Sequence, residues 1–162
     1  GGASNMKIAY VEIDSLLTKY NFCKDVNEQM IKKEENIRTT LNEKAKKLEG
    51  EMREFERKIQ NNGFATRERA EQEQARLLKQ QQELQQLQQK LAEELAMENQ
   101  KNNLEMRDSI NSFLKVYNQT KGYDLIISNA GLDNLLYANP AFNITNEIVE
   151  GLNARYNPSI KK

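Results

Sequence analysis

From Leu41 to Leu91 the apolar residues recur in steps of three and four, and most of what lies between them is Gln, Glu, Lys or Arg. Leu41, Leu48 and Phe55 stand seven apart, and Ala45, Met52 and Ile59 form a second series at the same spacing. Interleaved, the two series are the seam of a coiled coil over three heptads. After Asn61-Asn62-Gly63 the pattern starts again with Ala70, Leu77, Leu84 and Leu91, with Leu87 between. Asn and Gly tolerate left-handed backbone, so this tripeptide closes one helix, and Thr66 is the expected N-cap of the next. If the turn centres near Gly63, antiparallel pairing sets Leu41 near Leu87, Leu48 near Leu77 or Gln80, and Phe55 near Ala70 and Glu73. From Phe64 to Lys121 there is no glycine or proline in 58 residues, which suits one very long helix. Past Leu91 the stripe changes step: Leu95, then Met106 eleven residues on, then Ile110, Phe113 and Tyr117. A step of eleven relaxes the left-handed supercoil and makes the helices straighter than a strict heptad coil. The second helix outruns the first, so its surplus, about Met106 to Lys121, must pack on the rest of the chain.

The ends of the chain read differently. Lys7-Ile-Ala-Tyr-Val-Glu-Ile13 has the β-branched and aromatic content of a strand. Asp14 or Ser15 is expected to cap a short helix carrying Leu16, Leu17 and Tyr20. Gly122 should end the long helix. Tyr123-Asp-Leu-Ile-Ile-Ser128 then reads as a strand whose continuous apolar centre suits a central position. Asn129-Ala130-Gly131 turns the chain, Leu135-Leu136-Tyr137-Ala138 reads as a further strand, and Asn139-Pro140 breaks it. Thr145 is expected to cap a last helix with Ile148, Val149 and Leu152, ending at Gly151 or soon after. Tyr10, Tyr123, Ile126 and Tyr137 are expected in the core. The fold class is α+β: a long antiparallel helical hairpin projects from a small β-sheet body through which the chain oligomerises. Residues 7–23 and 122–155 make the body and residues 24–121 the arm, with its turn near 61–65. Residues 1–6, which begin Gly-Gly-Ala-Ser-Asn without an initiator Met, are a disordered tail, left by removal of a targeting segment or by expression; residues 156–162 are a second tail.

Composition narrows the function. Only 38% of the 162 residues are hydrophobic and 30% are charged, fewer apolar residues than one filled core would need, so they must lie in narrow stripes. The 24 basic residues cancel the 24 acidic ones, which removes a global field for nucleic acid or an anionic membrane. Glu and Lys interleave along both helices, which also argues against a nucleic-acid-binding helix. No apolar run approaches the roughly 20 residues that span a bilayer, so any membrane association would be indirect. With no histidine, one cysteine (Cys23) and few glycines, the chain lacks metal-ligand spacing, a phosphate-cradling loop and a neutral-pH acid–base group. No enzyme activity, cofactor or metal is expected. Cys23 is read as a small buried hydrophobe. The Gln-rich run from Gln80 to Gln89 is read as a solvated helix face, and the sequons at Asn118 and Asn143 as accidental.

The strand of the type Lys7-Ile-Ala-Tyr-Val, the long Gln/Glu/Lys-rich hairpin, the Tyr123-Asp-Leu-Ile-Ile and Leu135-Leu136-Tyr137-Ala138 segments and the closing Thr145-x-Glu147-Ile-Val149 helix follow in an order that resembles the Skp (OmpH-like) periplasmic chaperone family, over Lys7 to Asn153. The resemblance implies a periplasmic homotrimer whose bodies join and whose arms surround a cavity. It also implies ATP-independent holding of unfolded outer-membrane β-barrel proteins. The best-known members are strongly basic, whereas this chain is neutral, with a sequence pI of about 6.6. Oligomerisation also follows from physics, because a body of about 50 residues makes a core worth roughly 3–5 kcal/mol at best and its short strands leave open edges. Body residues expected at the subunit contact are Ile8, Tyr10, Leu125, Ile126 and Leu136. A holdase needs dispersed, adaptable apolar contacts on a polar surface, and off the seam these are Leu78, Met97 and, at the tip, Phe64; each could equally pack on the neighbouring helix or turn. The rival reading is a coiled-coil adaptor docking one folded partner, which would gather its exposed apolar residues in one patch.

Overall fold

The computed structural model describes residues 5–131 and 133–158. In chain order they form β1 (Ile8–Glu12), α1 (Ile13–Lys19), α2 (Asn21–Gln60), α3 (Arg67–Lys121), β2 (Leu125–Asn129), a 3-10 turn (Pro140–Phe142) and α4 (Thr145–Arg155). The protein is mostly helical with a small sheet. It forms two compact units: the described residues up to Gln29 together with those from Gln100 onward, and Met30–Asn99.

In the first unit β1 and β2 pair in parallel, Ile8 opposite Leu125 through Glu12 opposite Asn129. Parallel neighbours cannot be joined by a tight turn, and here the connection between them is α1 and the whole of α2 and α3. The core gathers Ala9 and Val11 from β1, Leu16 from α1, Tyr20 between α1 and α2, Phe22 in the first turn of α2, Ile144 just before α4, and Ile148, Val149 and Leu152 from α4. The α4 residues recur at three and four, one apolar face of a helix. Met106, Ile110, Phe113 and Tyr117, the surplus of α3, pack against this cluster. Cys23 is half-buried beside the same cluster, and burial pushes its thiol pKa up. Tyr156 completes an aromatic group, with ring centroids 6.2 Å from Tyr20 and 5.8 Å from Phe22, and its hydroxyl donates to Asp25 at 2.9 Å.

The junctions obey capping chemistry. Gly122 takes φ +66° directly after α3, and its N–H reaches the Asn118 carbonyl at 3.0 Å. The Asn118 side chain then accepts from the Tyr123 N–H at 2.7 Å and donates to the Tyr123 carbonyl at 2.9 Å. Asn143 accepts the Thr145 N–H at 3.0 Å. The asparagines of both sequons are thus engaged in turns.

Several expectations change. Leu135–Ala138 is not a strand, so the sheet has two strands, and β2 is an edge strand rather than a central one. The cause is local. Gly131 turns at φ +58°, the Leu135 N–H is taken by the Asn129 side chain at 3.3 Å, and the Asn134 amide donates to the Ser128 carbonyl at 3.3 Å. Side-chain bonds thereby replace a ladder. Tyr137, expected in the core, is 84% exposed and Leu136 83%. Neither Asp14 nor Ser15 caps α1, which begins at Ile13 directly out of β1. Thr145 is the first residue of α4 rather than its cap, and its hydroxyl accepts the Glu12 N–H at 2.8 Å, tying the helix to the end of β1. Gly151 lies inside α4, which continues to Arg155.

Gly151 is there for space, since a Cβ at this position would lie 2.1 Å from Phe113 Cζ. Gly50, in the middle of α2, meets nothing within 4 Å. Gly151→Ala should therefore destabilise by about 1–3 kcal/mol as Phe113 is displaced, while Gly50→Ala should stabilise by about 1 kcal/mol through helix propensity; urea unfolding of the two variants gives both signs.

Burial, and secondarily the Asp25 carboxylate, pushes the Tyr156 phenol from 10.0 up to about 12. A raised folded-state pKa means the contribution is intact below pH 10.0 and is lost as pH rises towards about 12. Tyr156→Phe should reduce the loss of stability across that window, measured by unfolding at stepped alkaline pH.

Candidate functional site

The second unit is an antiparallel helical hairpin, residues 30–60 of α2 against residues 67–99 of α3. The pairing is read from its cross-helix ties. Lys33 pairs with Glu98 near one end, and Arg76 reaches Glu51 at 3.1 Å nearer the turn. Arg76 also holds Glu73 on its own helix. The Gln80 amide, in the orientation its neighbours dictate, donates to the same Glu51 carboxylate at 3.1 Å. Arg76 and its partners are largely solvated, so they fix register more than they stabilise.

Between these ties the seam is thin. Within this unit Met30, Leu48 and Leu77 are buried, while Ile37, Leu41, Met52, Phe55, Ala70, Leu84, Leu87, Leu91 and Leu95 are half-buried. Ala45 and Ile59, expected in the seam, are exposed. Leu48 shares a groove with Gln80, Leu84 and Leu87, whose rim carries Lys44, Lys47 and Glu83. This agrees with the Gln80 pairing expected for Leu48. The groove holds two ammonium groups, a carboxylate and an amide over leucine, with no nucleophile beside a base.

At the turn, Asn62 takes the left-handed conformation at φ +51°, and Gly63 N–H closes on the Lys58 carbonyl at 2.7 Å. Thr66 caps α3 as expected, accepting the Arg69 N–H at 3.2 Å. The Phe64 ring lies 5.6 Å from Phe55, with the Lys58 ammonium 5.5 Å from its centroid. Phe64 is half-buried in the turn, whereas Leu78 and Met97 point away from the seam, 56% and 69% exposed. Ile31 and Ile59 are exposed as well. The heptad pattern did not single out Ile31, which sits one residue from Met30 in the seam and is 55% exposed. In the first unit, of the five body residues marked for subunit contact, Tyr10 is buried, Ile8 and Ile126 half-buried, and Leu125 and Leu136 exposed.

Among the described residues no group of three or more His, Cys, Asp or Glu lies together as a metal site would require. No helix among them is long and apolar enough to cross a membrane.

A parallel strand pair whose connection is a long helical hairpin, with exposed apolar side chains on that hairpin, defines a coiled-coil arm protein. The chain belongs to the outer membrane protein (OmpH-like) family, whose model matches residues 7–152. It is similar in structure to a candidate outer membrane chaperone (OmpH-like) from Caulobacter crescentus, known from its crystal structure, with a TM-score of 0.82 and 18% sequence identity. The match covers 96% of this chain and 88% of that one. At that identity the likeness concerns the fold. No curated protein matches the chain in sequence.

The thin seam has a dynamic consequence. Regions with few buried apolar contacts open locally at low free-energy cost. Amide hydrogen exchange in residues 30–60 and 67–99 should therefore be faster than in β1 and the central turns of α4. Equal protection throughout would contradict this.

Proposed function

We propose that the protein is an ATP-independent holdase chaperone of the periplasm that keeps unfolded outer-membrane β-barrel proteins from aggregating. Its subunits assemble as a homotrimer through their bodies, and the client is held between the arms. Family membership supports the chaperone class, and the structural neighbour carries that description for itself. The observation that carries the reading is the distribution of exposed apolar side chains. Ile31, Ile59, Leu78 and Met97 are spread along the hairpin unit, while the tip residue Phe64 packs on Phe55. A docking adaptor would concentrate such residues in one patch; dispersed, adaptable contacts suit a client without fixed shape.

Assembly is supported by the size of the first unit's core and by the open edge of β2, which begins with the exposed Leu125. Light scattering should give an oligomer at micromolar concentration, and a particle of 18.8 kDa would overturn the trimer and the cavity together.

The neutral charge makes the binding test sharp. Screening shortens from about 10 Å at 0.1 M salt to about 3 Å at 1 M, while apolar contacts survive. Suppression of aggregation of a β-barrel protein diluted from urea should persist in high salt. It should weaken severalfold when Phe64, Leu78 and Met97 are replaced together by Ser, Gln and Gln, with the oligomer unchanged. Activity abolished by about 0.5 M salt and indifferent to the replacements would assign binding to charge instead.

A further inference from the structure

We propose that Asn62, in the turn of the hairpin, is a self-modification site. Its side-chain amide is lost by attack of the Gly63 backbone nitrogen, the closed turn holds the reaction back, and the isoaspartate it leaves prevents the turn from closing again. The inference goes beyond the chaperone reading and does not rest on it.

Asn62 is the only asparagine in the chain followed by glycine. Glycine has no Cβ to shield its nitrogen, so attack on the preceding side chain is least hindered at such a pair. Asn61, Asn62 and Gly63 are all exposed. The atoms balance without an enzyme or an oxidant. The Gly63 nitrogen bonds to Asn62 Cγ, the Cγ–Nδ2 bond breaks, and ammonia leaves carrying the proton that the Gly63 nitrogen gives up. One water then opens the cyclic imide. Entry at Cγ gives aspartate. Entry at the main-chain carbonyl carbon gives isoaspartate, in which the backbone runs through Cβ and Cγ and is one carbon longer.

The turn supplies the gate. The proton that must leave is the one Gly63 donates to the Lys58 carbonyl at 2.7 Å, so the nucleophile is occupied while the turn is closed. Asn62 reaches this closure at φ +51°, a backbone state that Asn accepts more readily than most residues. Phe64, its ring centroid 5.6 Å from that of Phe55, holds the segment that follows. Against this, Ile59 in the last turn of α2 is exposed, and a helix end with so little burial opens at low cost. Each opening frees the Gly63 nitrogen. Closure after the reaction meets an obstacle. A Cβ at Gly63 would stand 3.3 Å from Lys58 Cα, Cβ and Cγ, so the turn is already in close contact there. A backbone one carbon longer cannot keep both that packing and the bond to Lys58.

The test follows the full chain at neutral pH in water enriched in oxygen-18, which labels the new carboxylate, with isoaspartate at position 62 measured by peptide mass mapping. The chain unfolded in urea should react at least about tenfold faster than the folded chain, and Phe64→Ala, which loosens the turn, should fall between them. Equal rates in the folded and unfolded chain would overturn the gate. No product at position 62 in the folded chain by the time the unfolded chain is fully converted would overturn the site. Asn62→Gly keeps the left-handed turn and has no amide to lose, so label at this position in that variant would overturn the assignment. The isoaspartate form, separated by ion exchange, should show severalfold faster amide exchange over residues 55–70. Asn62→Asp adds the charge without the extra carbon and should keep most of the native protection. An isoaspartate form as protected as the unaltered chain, or an Asn62→Asp variant as unprotected as the isoaspartate form, would overturn the role of the added carbon.

Discussion

The parallel pairing of β1 with β2 is the constraint on which the rest depends. Five residues of each strand meet, and they come from opposite ends of the chain. Everything between them must leave and return. Two helices joined by a tight turn accomplish this, with the backbone groups of each helix interior satisfied within that helix and the ends closed by caps. The core then forms where the ends meet. α1, the residue that follows it and the first turn of α2 supply Leu16, Tyr20 and Phe22, the last part of α3 supplies Met106 to Tyr117, and α4 closes over them through Ile148 and Leu152. The Thr145 hydroxyl, bonded to the backbone of Glu12, joins the helix that covers the core to the strand that founds it.

The hairpin is built on different terms. Its seam carries few fully buried residues, and its register is held in part by solvated pairs such as Lys33 with Glu98 and Arg76 with Glu51. A surface of this kind is cheap to open and leaves Leu78, Met97 and Ile31 facing water. Soluble proteins usually hide such residues or keep them isolated. Here they stand isolated from one another along the hairpin.

Periodicity exposed the helices clearly. Leu48 and Leu77 are buried where the heptads put them, and Asn62, Gly122 and Thr66 terminate or begin helices through the conformations and caps their chemistry favours. The short elements were harder. Leu135–Ala138 has strand composition, yet Asn129 and Asn134 bind the neighbouring backbone and no ladder forms. Thr145 has a cap's chemistry but spends it on β1, a contact across 133 residues that no local pattern encodes. Of the surface residues, Leu78 and Met97 could be found by subtraction from the seam. Phe64 could not be placed, because its burial depends on a contact with Phe55 created by the turn.

The separation of the paired strands also shapes how the chain must fold. Ile8 and Leu125 are partners in the sheet, so more than a hundred residues are made after the first strand before the second exists. Contacts this remote in sequence are slow to form from an open chain. The entropic cost of closing a loop, however, grows with the length of flexible chain that remains. Once α2 and α3 have zipped from Asn62, that length shrinks from the whole arm to a few residues at its base. The hairpin thereby converts a remote encounter into a near one. It also leaves β1 waiting, with Val11 and Tyr10 uncovered, for as long as synthesis of the arms takes.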